Sequence, residues 1–269
     1  MGIYKKGTLA TATKSNIQQN DTMHIGKKVE HRSWPLPSNK WIMRQVWRNV
    51  LFLHWPIKPR LIRPHLPPEL EIDTFEGFAW MGIVAFTMKG IYFRGLPFSV
   101  VPSFPEVNVR TYVVYKGKPG VFFLSLDVDD WASLNIAKRW YRLPYNPANI
   151  EVRTGENGAI QYKSVRKAGN PLAFEGSCIP TNDTYFAESG TLDHWLTERY
   201  CFYTTRNGKD IYHGDIHHLP WPLKKVDVHI NQHTLFSPFN IHVSNDPPIA
   251  HFSQGVDSLM WNGKKLKMD

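Results

Sequence analysis

The chain has 269 residues, 42% of them hydrophobic and 13% aromatic, which is typical of a globular, β-rich protein long enough for one large or two small domains. Its formal net charge of +9 is concentrated at the two ends, because residues 1–32 contribute +4 and residues 264–269 contribute +2. The +3 that remains for the body is ordinary for a soluble domain, so the charge does not predict a nucleic-acid partner.

The cysteines and the longest apolar runs predict the compartment. Cys178 and Cys201 form neither a redox pair nor a metal-binding spacing. With no signal-peptide pattern near the N terminus, they predict reduced thiols in a cytoplasmic protein. No apolar run approaches the roughly 18–20 residues needed to span a bilayer, so we expect no membrane association.

The first residues are polar and show no apolar period. We therefore predict residues 1–33 to be a disordered basic extension, within which Met23 is an alternative start. Residues 34–262 are predicted to form a single domain, and residues 263–269 a basic tail.

The first part of that domain predicts strands and a short helix. Residues 41–52 fit a helix or a strand, and Lys58–His65 fits a helix with Pro59 near its start. Leu70–Phe75 and Phe78–Met88 are predicted to pair as a hairpin across Glu76-Gly77. The second of these strands is apolar on both faces, which indicates a buried strand.

A central stretch, residues 104–152, organises the rest of the chain. It predicts a strand from Phe104, a turn at Lys116–Gly120 and a return strand over Val121–Val128. Asp129 or Asp130 is predicted to cap a helix that ends before Pro144, and a further strand begins near Ala148.

The C-terminal half predicts mainly hairpins. The expected elements are a hairpin of Glu151–Arg153 with Ile160–Val165, a helix capped by Ser189, a hairpin of Tyr200–Thr205 with Ile211–His217, and strands Val226–Ile230, Ile249–Phe252 and Val256–Trp261. Hairpins with only two convincing helices indicate an antiparallel barrel or sandwich with helices attached.

Several ordered motifs carry a family resemblance: LHWPIKPRLIRPHLPPELEIDTFEGFAWMGIVAF, RGLPFSVVPSFPEVNVRTYV, LTERYCFYT and HGDIHHLPWPL. With these the chain resembles the YqjF-like family of uncharacterised bacterial proteins over about residues 34–262. That family is distantly similar to the acetoacetate decarboxylase-like fold. The resemblance implies a β-rich α+β protein, an antiparallel β-barrel that encloses a cavity, with a few short helices.

The same resemblance bears on the chemistry. It implies that Glu106, in Phe104-Pro105-Glu106, matches the glutamate that faces the decarboxylase cavity. Decarboxylases form a Schiff base with a lysine after the proline that here is Pro144, but Tyr145 and Asn146 follow it. A tyrosine cannot form an imine, so the decarboxylase reaction is not expected.

The best candidate site is one face of the strand that starts at Phe104. Glu106, Asn108, Arg110 and Tyr112 alternate along it, so they point the same way. An arginine fork matches a carboxylate or phosphate, and Glu106 and Arg110 are the candidate catalytic pair. The alternative is a structural network of these side chains inside the barrel.

Other residues are predicted to join this site as ligand contacts. They are Asn108, Tyr112, Tyr145, His54 and Trp80. His213, Asp215, His217 and His218 resemble metal ligands, but alternate residues of one straight strand lie roughly 6–7 Å apart and cannot converge on one ion. We therefore expect no metal and no cofactor, and leave the role of these histidines open.

Two functions remain open. The first is a barrel protein that binds or acts on a small carboxylate or keto acid without Schiff-base chemistry, as a lyase-type or hydrolase-type enzyme. The second is a non-catalytic binding protein that uses the same cavity. The expected partner in both is a small molecule in the barrel cavity, and a homo-oligomer is left open.

Overall fold

The computed structural model of the protein describes residues 25–129, 143–167, 172–206, 210–243 and 246–266. The structure is rich in strands. The strands are β1 Met43–Ile57, β2 Glu71–Ile72, β3 Ala79–Phe93, β4 Phe104–Tyr115, β5 Lys118–Val128, β6 Tyr145–Thr154, β7 Ile160–Arg166, β8 Ala173–Pro180, β9 Cys201–Arg206, β10 Asp210–His218, β11 Leu223–Lys224, β12 Val226–His233, β13 Ile249–Met260 and β14 Lys264–Lys265. The described residues include the helices α1 Pro59–Ile62 and α2 Leu192–Thr197, a helical segment at 25–27, and 3₁₀ turns at Arg63–His65 and Ser237–Phe239.

Seven of the strands pair in a ring. The pairings run β1–β3–β4–β5–β9–β10–β13, and β13 pairs again with β1. All of these pairs are antiparallel except β5 with β9. This seven-strand ring has an inner and an outer face, and alternate residues of each strand therefore enter two different cores.

The outer face of the ring packs on a second sheet. Strands β6, β7, β8 and β12 pair antiparallel in that order, and β6 continues from β5 through a short parallel pairing. The outer residues Val107 and Val109 of β4 belong to the same apolar cluster as Tyr162 and Phe174 of the second sheet. The alternation along β4 thus separates an apolar outer row from a polar inner row.

The prediction that β3 is buried on both sides is confirmed. Met81 and Ile83 belong to the outer cluster, while Val84 and Phe86 belong to the inner one. The predicted hairpin before it is only partly correct, because Phe75 and Phe78 form an isolated bridge around the Glu76-Gly77 turn while β2 pairs with β4.

Other predicted elements differ in detail. The ambiguous segment 41–52 belongs to a strand, and the two C-terminal strands are one continuous strand, β13. The cap of α2 is Thr191 rather than Ser189, since its hydroxyl accepts from the His194 amide. The helix predicted after Asp129 or Asp130 lies outside the described residues.

The described part of the predicted N-terminal extension packs on the ring. Ile25 is buried in a cluster with Leu259 and Trp261. Arg32 donates to the Ile216 carbonyl at 2.7 Å. These contacts join the described residues before residue 34 to the strand-rich part of the chain.

At the other end, Lys264 and Lys265 of the predicted tail form β14 and pair with β10. Within the described ranges, no helix has the length and apolar character needed to cross a membrane.

Candidate functional site

A cavity of about 110 Å³, measured as space for the centres of water molecules, lies within the seven-strand ring. At roughly 10–15 Å³ per water on this measure, it holds several waters or one small organic molecule. Its apolar lining consists of Met43, Trp47, Val50, Phe52, Val84, Phe86, Met88, Ile91, Phe104, Val121, Phe123, Leu126, Leu143, Phe202, Ile216, Trp221 and Met260. Its polar lining consists of Gln45, Glu106, Asn108, Arg110, Tyr145, Thr197, Arg199 and His218.

Strand β4 supplies a polar row to this cavity. Glu106, Asn108 and Arg110 face inward at alternate positions, opposite Phe86, Val84 and Gly82 of β3, respectively. Because alternate residues of a strand are about 6–7 Å apart, the Cα atoms of Glu106 and Arg110 are separated by about 13 Å. The two side chains are thus at different places in the cavity.

Glu106 is almost fully buried, with 4% of its surface exposed. The Tyr145 hydroxyl donates to its Oε2 at 3.3 Å, and the parallel pairing of β6 with β5 brings Tyr145 beside it. Burial raises the pKa of Glu106 to about 7, against hydrogen bonds from Asn108 and Tyr145 that lower it. A carboxyl with this pKa can both donate and accept a proton near neutral pH.

Asn108 lies between the two ionisable residues. Its hydrogen bond to Glu106 favours the charged carboxylate, so the amide nitrogen is the donor. Its Oδ1 is buried and has no hydrogen-bond partner among the described residues. The cavity therefore contains an acceptor that a ligand with a hydroxyl or N–H group would satisfy.

Arg110 brings a buried guanidinium to the cavity. Its Nη2 donates to the Leu196 carbonyl of α2 at 3.1 Å and to the Tyr112 hydroxyl at 3.3 Å. Its Nε has no partner, and no carboxylate within the described ranges forms an ion pair with it. A buried guanidinium without a counter-ion is costly, and an anion in the cavity would relieve that cost.

Arg199 is a second guanidinium of the cavity. It follows α2, pairs with Asp73 at 2.6 Å and donates to the Trp195 carbonyl at 2.7 Å, yet its Nη2 has no partner in the described part of the chain. Burial lowers the pKa of Arg199, against the charge of Asp73. Arg199 lines the cavity but was not among the site residues predicted from the sequence.

Gly82 leaves the room that Arg110 needs. A Cβ at Gly82 would lie 3.0 Å from His54 Cδ2 and 3.4 Å from Arg110 Cγ. The glycine on the neighbouring strand therefore lets the imidazole and the arginine stem lie against the β3 backbone.

Three predicted ligand contacts occupy other positions. Tyr112, His54 and Trp80 are buried but are not among the residues that line the cavity. The Tyr112 hydroxyl donates to the Leu196 carbonyl and lies 2.8 Å from His54 Nε2. Tyr112 and His54 therefore support Arg110 and α2 and do not line the cavity. Strand alternation places Tyr112 on the inner face, but it does not show that a helix covers this position.

Burial determines the protonation states of Tyr112 and His54. Burial raises the pKa of Tyr112, and burial together with the Arg110 charge holds the pKa of His54 well below its usual range. Both side chains are thus neutral at pH 7, and neither compensates the guanidinium.

Two histidines of β10 contact backbone carbonyls, and His213 lies beside the Asp215 carboxylate. His217 Nε2 lies 2.8 Å from the Ile25 carbonyl, and His218 Nδ1 lies 2.7 Å from the Leu219 carbonyl. The described residues contain no group of three or more side chains placed to hold a metal ion.

Tyr145 stands at the cavity where the resemblance placed the Schiff-base lysine. Among the described residues no lysine lines the cavity, and Asn146 donates to the Pro144 carbonyl. The site thus contains hydrogen-bonding and acid–base groups but no described amine nucleophile.

A family model and a curated relative both match most of the chain. Residues 44–257 match DUF2071, described as an uncharacterized conserved protein. The chain is 39% identical over 243 residues to the uncharacterized protein YqjF of Bacillus subtilis (strain 168), covering 89% of this chain and 98% of the relative.

Solved structures show the same fold at low sequence identity. Acetoacetate decarboxylase from Legionella pneumophila subsp. pneumophila str. Philadelphia 1 is similar with a TM-score of 0.60 and 15% identity, over 88% of this chain and 94% of that one. The enduracididine biosynthesis enzyme MppR complexed with pyruvate gives a TM-score of 0.58 and 12% identity, over 86% and 92%. The predicted likeness to acetoacetate decarboxylase-like proteins is confirmed at the level of the fold.

Proposed function

Because the chain belongs to the DUF2071 family and has an acetoacetate decarboxylase-like fold, we propose that its seven-strand ring is a barrel whose cavity binds a small carboxylic or keto acid. The similar enzyme MppR has been seen with pyruvate, a keto acid. This pyruvate complex of a protein with a similar fold supports the ligand class, and the residues of this chain support the way in which the ligand is bound.

One observation carries the proposal. Arg110 and Arg199 both face the cavity, both are 8% exposed, and each has a buried N–H group without a partner among the described residues. Asp73 compensates Arg199, but no described carboxylate pairs with Arg110. A carboxylate between the two guanidiniums would supply the missing charge and accept both N–H groups.

Glu106 gives the cavity a capacity for proton transfer. With a pKa of about 7 it exists in both forms at neutral pH, and the Tyr145 hydroxyl orients it. If the protein is an enzyme, the two arginines hold the acid group of the ligand, and Glu106 transfers a proton to or from a ligand atom that is distant from this group. A lyase-type or hydrolase-type reaction that needs no imine fits these groups.

A second candidate function is favoured by the missing amine. Without a described lysine in the cavity, the site has two arginines suited to holding an acid but no amine for the covalent step of the decarboxylases. A non-catalytic binding protein with the same ligand fits this set equally. In either case the buried, free cysteines Cys178 and Cys201 support a reducing compartment such as the cytoplasm.

The carboxylate site is tested by replacing Arg110 with methionine. We expect Arg110→Met to weaken binding of the tightest acid among acetate, pyruvate, acetoacetate and hexanoate by about 10- to 150-fold in calorimetric titrations, because a hydrogen-bonded charge pair is lost. Arg153→Met, at an exposed position of β6, serves as the control and should leave affinity unchanged. A thermal melt of each variant verifies folding, and unchanged affinity in folded Arg110→Met would refute the site.

The absence of imine chemistry has its own test. We expect borohydride treatment in the presence of acetoacetate or pyruvate to add no mass to the protein, since the cavity residues described contain no lysine. Intact-protein mass spectrometry measures this. A covalent adduct that maps to one lysine would restore a decarboxylase-type mechanism with a different nucleophile.

A further inference from the structure

We propose that the ligand is an elongated monocarboxylic acid: its carboxylate lies between Arg110 and Arg199, its apolar chain extends along β4, and a hydroxyl or N–H group on that chain donates to Asn108. This inference rests on the proposed function, because it assumes the carboxylate site at the arginines. It adds the length, polarity and hydrogen-bonding pattern of the molecule.

The length follows from the spacing of the polar row. Arg110 and Glu106 are four residues apart on one strand, so their Cα atoms are separated by about 13 Å. Arg110 also leans away from Glu106, since it donates to Leu196 of α2 and to Tyr112, which lies further along the strand. A three-carbon keto acid held by the arginines would end well short of Glu106, whereas a longer chain reaches it.

The polarity follows from the walls between these two ends. Val84 and Leu126 are the strand neighbours of Asn108 on either side, and Phe86 is opposite Glu106. All three line the cavity. A ligand that passes these side chains gains affinity from its methylene groups, as apolar surface leaves water.

The hydrogen-bonding pattern follows from Asn108. Its nitrogen donates to Glu106, and its buried Oδ1 has no partner in the described part of the chain. Such an acceptor selects a ligand that brings a donor, because a purely hydrocarbon chain would leave it unsatisfied. The asparagine is one strand step, roughly 6–7 Å, from Arg110, which sets the distance between carboxylate and donor.

The charge of the two ends differs and disfavours a dicarboxylate. One end offers two guanidiniums, whereas the other offers the carboxyl of Glu106. A second carboxylate would meet this carboxyl in a buried place and be repelled once both are ionised. The site therefore distinguishes a monocarboxylic acid from a diacid of the same length.

The test is a calorimetric titration of the unmodified protein with acetate, butanoate, hexanoate and octanoate. We expect affinity to rise by about fourfold for each methylene between butanoate and hexanoate. The straight-chain diacid of hexanoate length should bind more weakly than hexanoate. The terminally hydroxylated analogue of hexanoate should bind about 2- to 12-fold more tightly than hexanoate, an advantage that Asn108→Leu removes.

The outcomes distinguish the elongated ligand from the carboxylate site on which it depends. Binding of acetate and hexanoate with equal affinity, both weakened by Arg110→Met, would overturn the elongated ligand and keep the carboxylate site. Binding of none of these acids would overturn both. The chain-length and diacid series needs no substitution, so it decides the question even where Asn108→Leu does not fold.

Discussion

Replacing Asp73 with alanine is expected to lower the free energy of unfolding by about 3–5 kcal/mol, because it leaves a buried guanidinium without its counter-ion. Asp73 and Arg199 are joined at 2.6 Å, and their side chains are 16% and 6% exposed, respectively. Arg199 is also held between the rings of Tyr112 and Trp195, so it cannot turn to solvent at low cost. In a domain of this size the loss corresponds to a fall of roughly 6–20 °C in melting temperature.

Chemical denaturation at pH 7 measures the effect of Asp73→Ala, and Asp227→Ala provides the control. Asp227 is exposed on β12, so its removal should change stability by less than about 0.5 kcal/mol. A loss below about 1 kcal/mol for Asp73→Ala would mean that the Arg199 charge is compensated elsewhere. Our interpretation of the cavity charge would then be wrong.

Replacing Glu106 with glutamine is expected to stabilise the protein above neutral pH and to leave it unchanged near pH 4.5. The pKa of Glu106 is about 7 in the folded protein against an ordinary value of 4.5. Between these two values the folded state holds a proton that the unfolded state has lost, so the stability contributed by this group is complete below pH 4.5 and falls as pH rises towards 7. The total loss is about 3 kcal/mol, and glutamine avoids it because it carries no charge.

Unfolding free energies of both proteins at several pH values between 4.5 and 8 give the difference curve. Contributions of all other groups cancel in this comparison. A flat curve for Glu106→Gln would show that the carboxyl is not buried in its charged form. Stabilisation with loss of ligand binding or turnover would show that the protein retains Glu106 for function.

The polar row illustrates what local sequence can determine about a site. Glu106, Asn108 and Arg110 were predicted to share a face because strand alternation is fixed by backbone geometry. Their burial was suggested by the apolar residues between and around them, and the structure places all three at one cavity. The same rule included Tyr112, which α2 covers instead, because alternation does not report what packs above a strand end.

Arg199 and Asp73 show where local sequence is insufficient. They are 126 positions apart, and only the return of the chain after α2 brings them together. Neither residue stands in a periodic pattern that marks an inner face. Their pairing depends on the closing of β9 against β5 and on the seating of α2, which are long-range contacts.

The sequence alone determined the strand-rich class, the family resemblance, the missing lysine after Pro144 and the inner row of β4, since each depends on residue identity or on near-neighbour spacing. Tertiary structure alone decided the ring of pairings, the continuity of β13, the docking of residues 25–33 and the placement of Arg110 and Arg199 at one cavity. These features join residues distant in the chain, and their energies come from burial and pairing that exist only once the chain has folded.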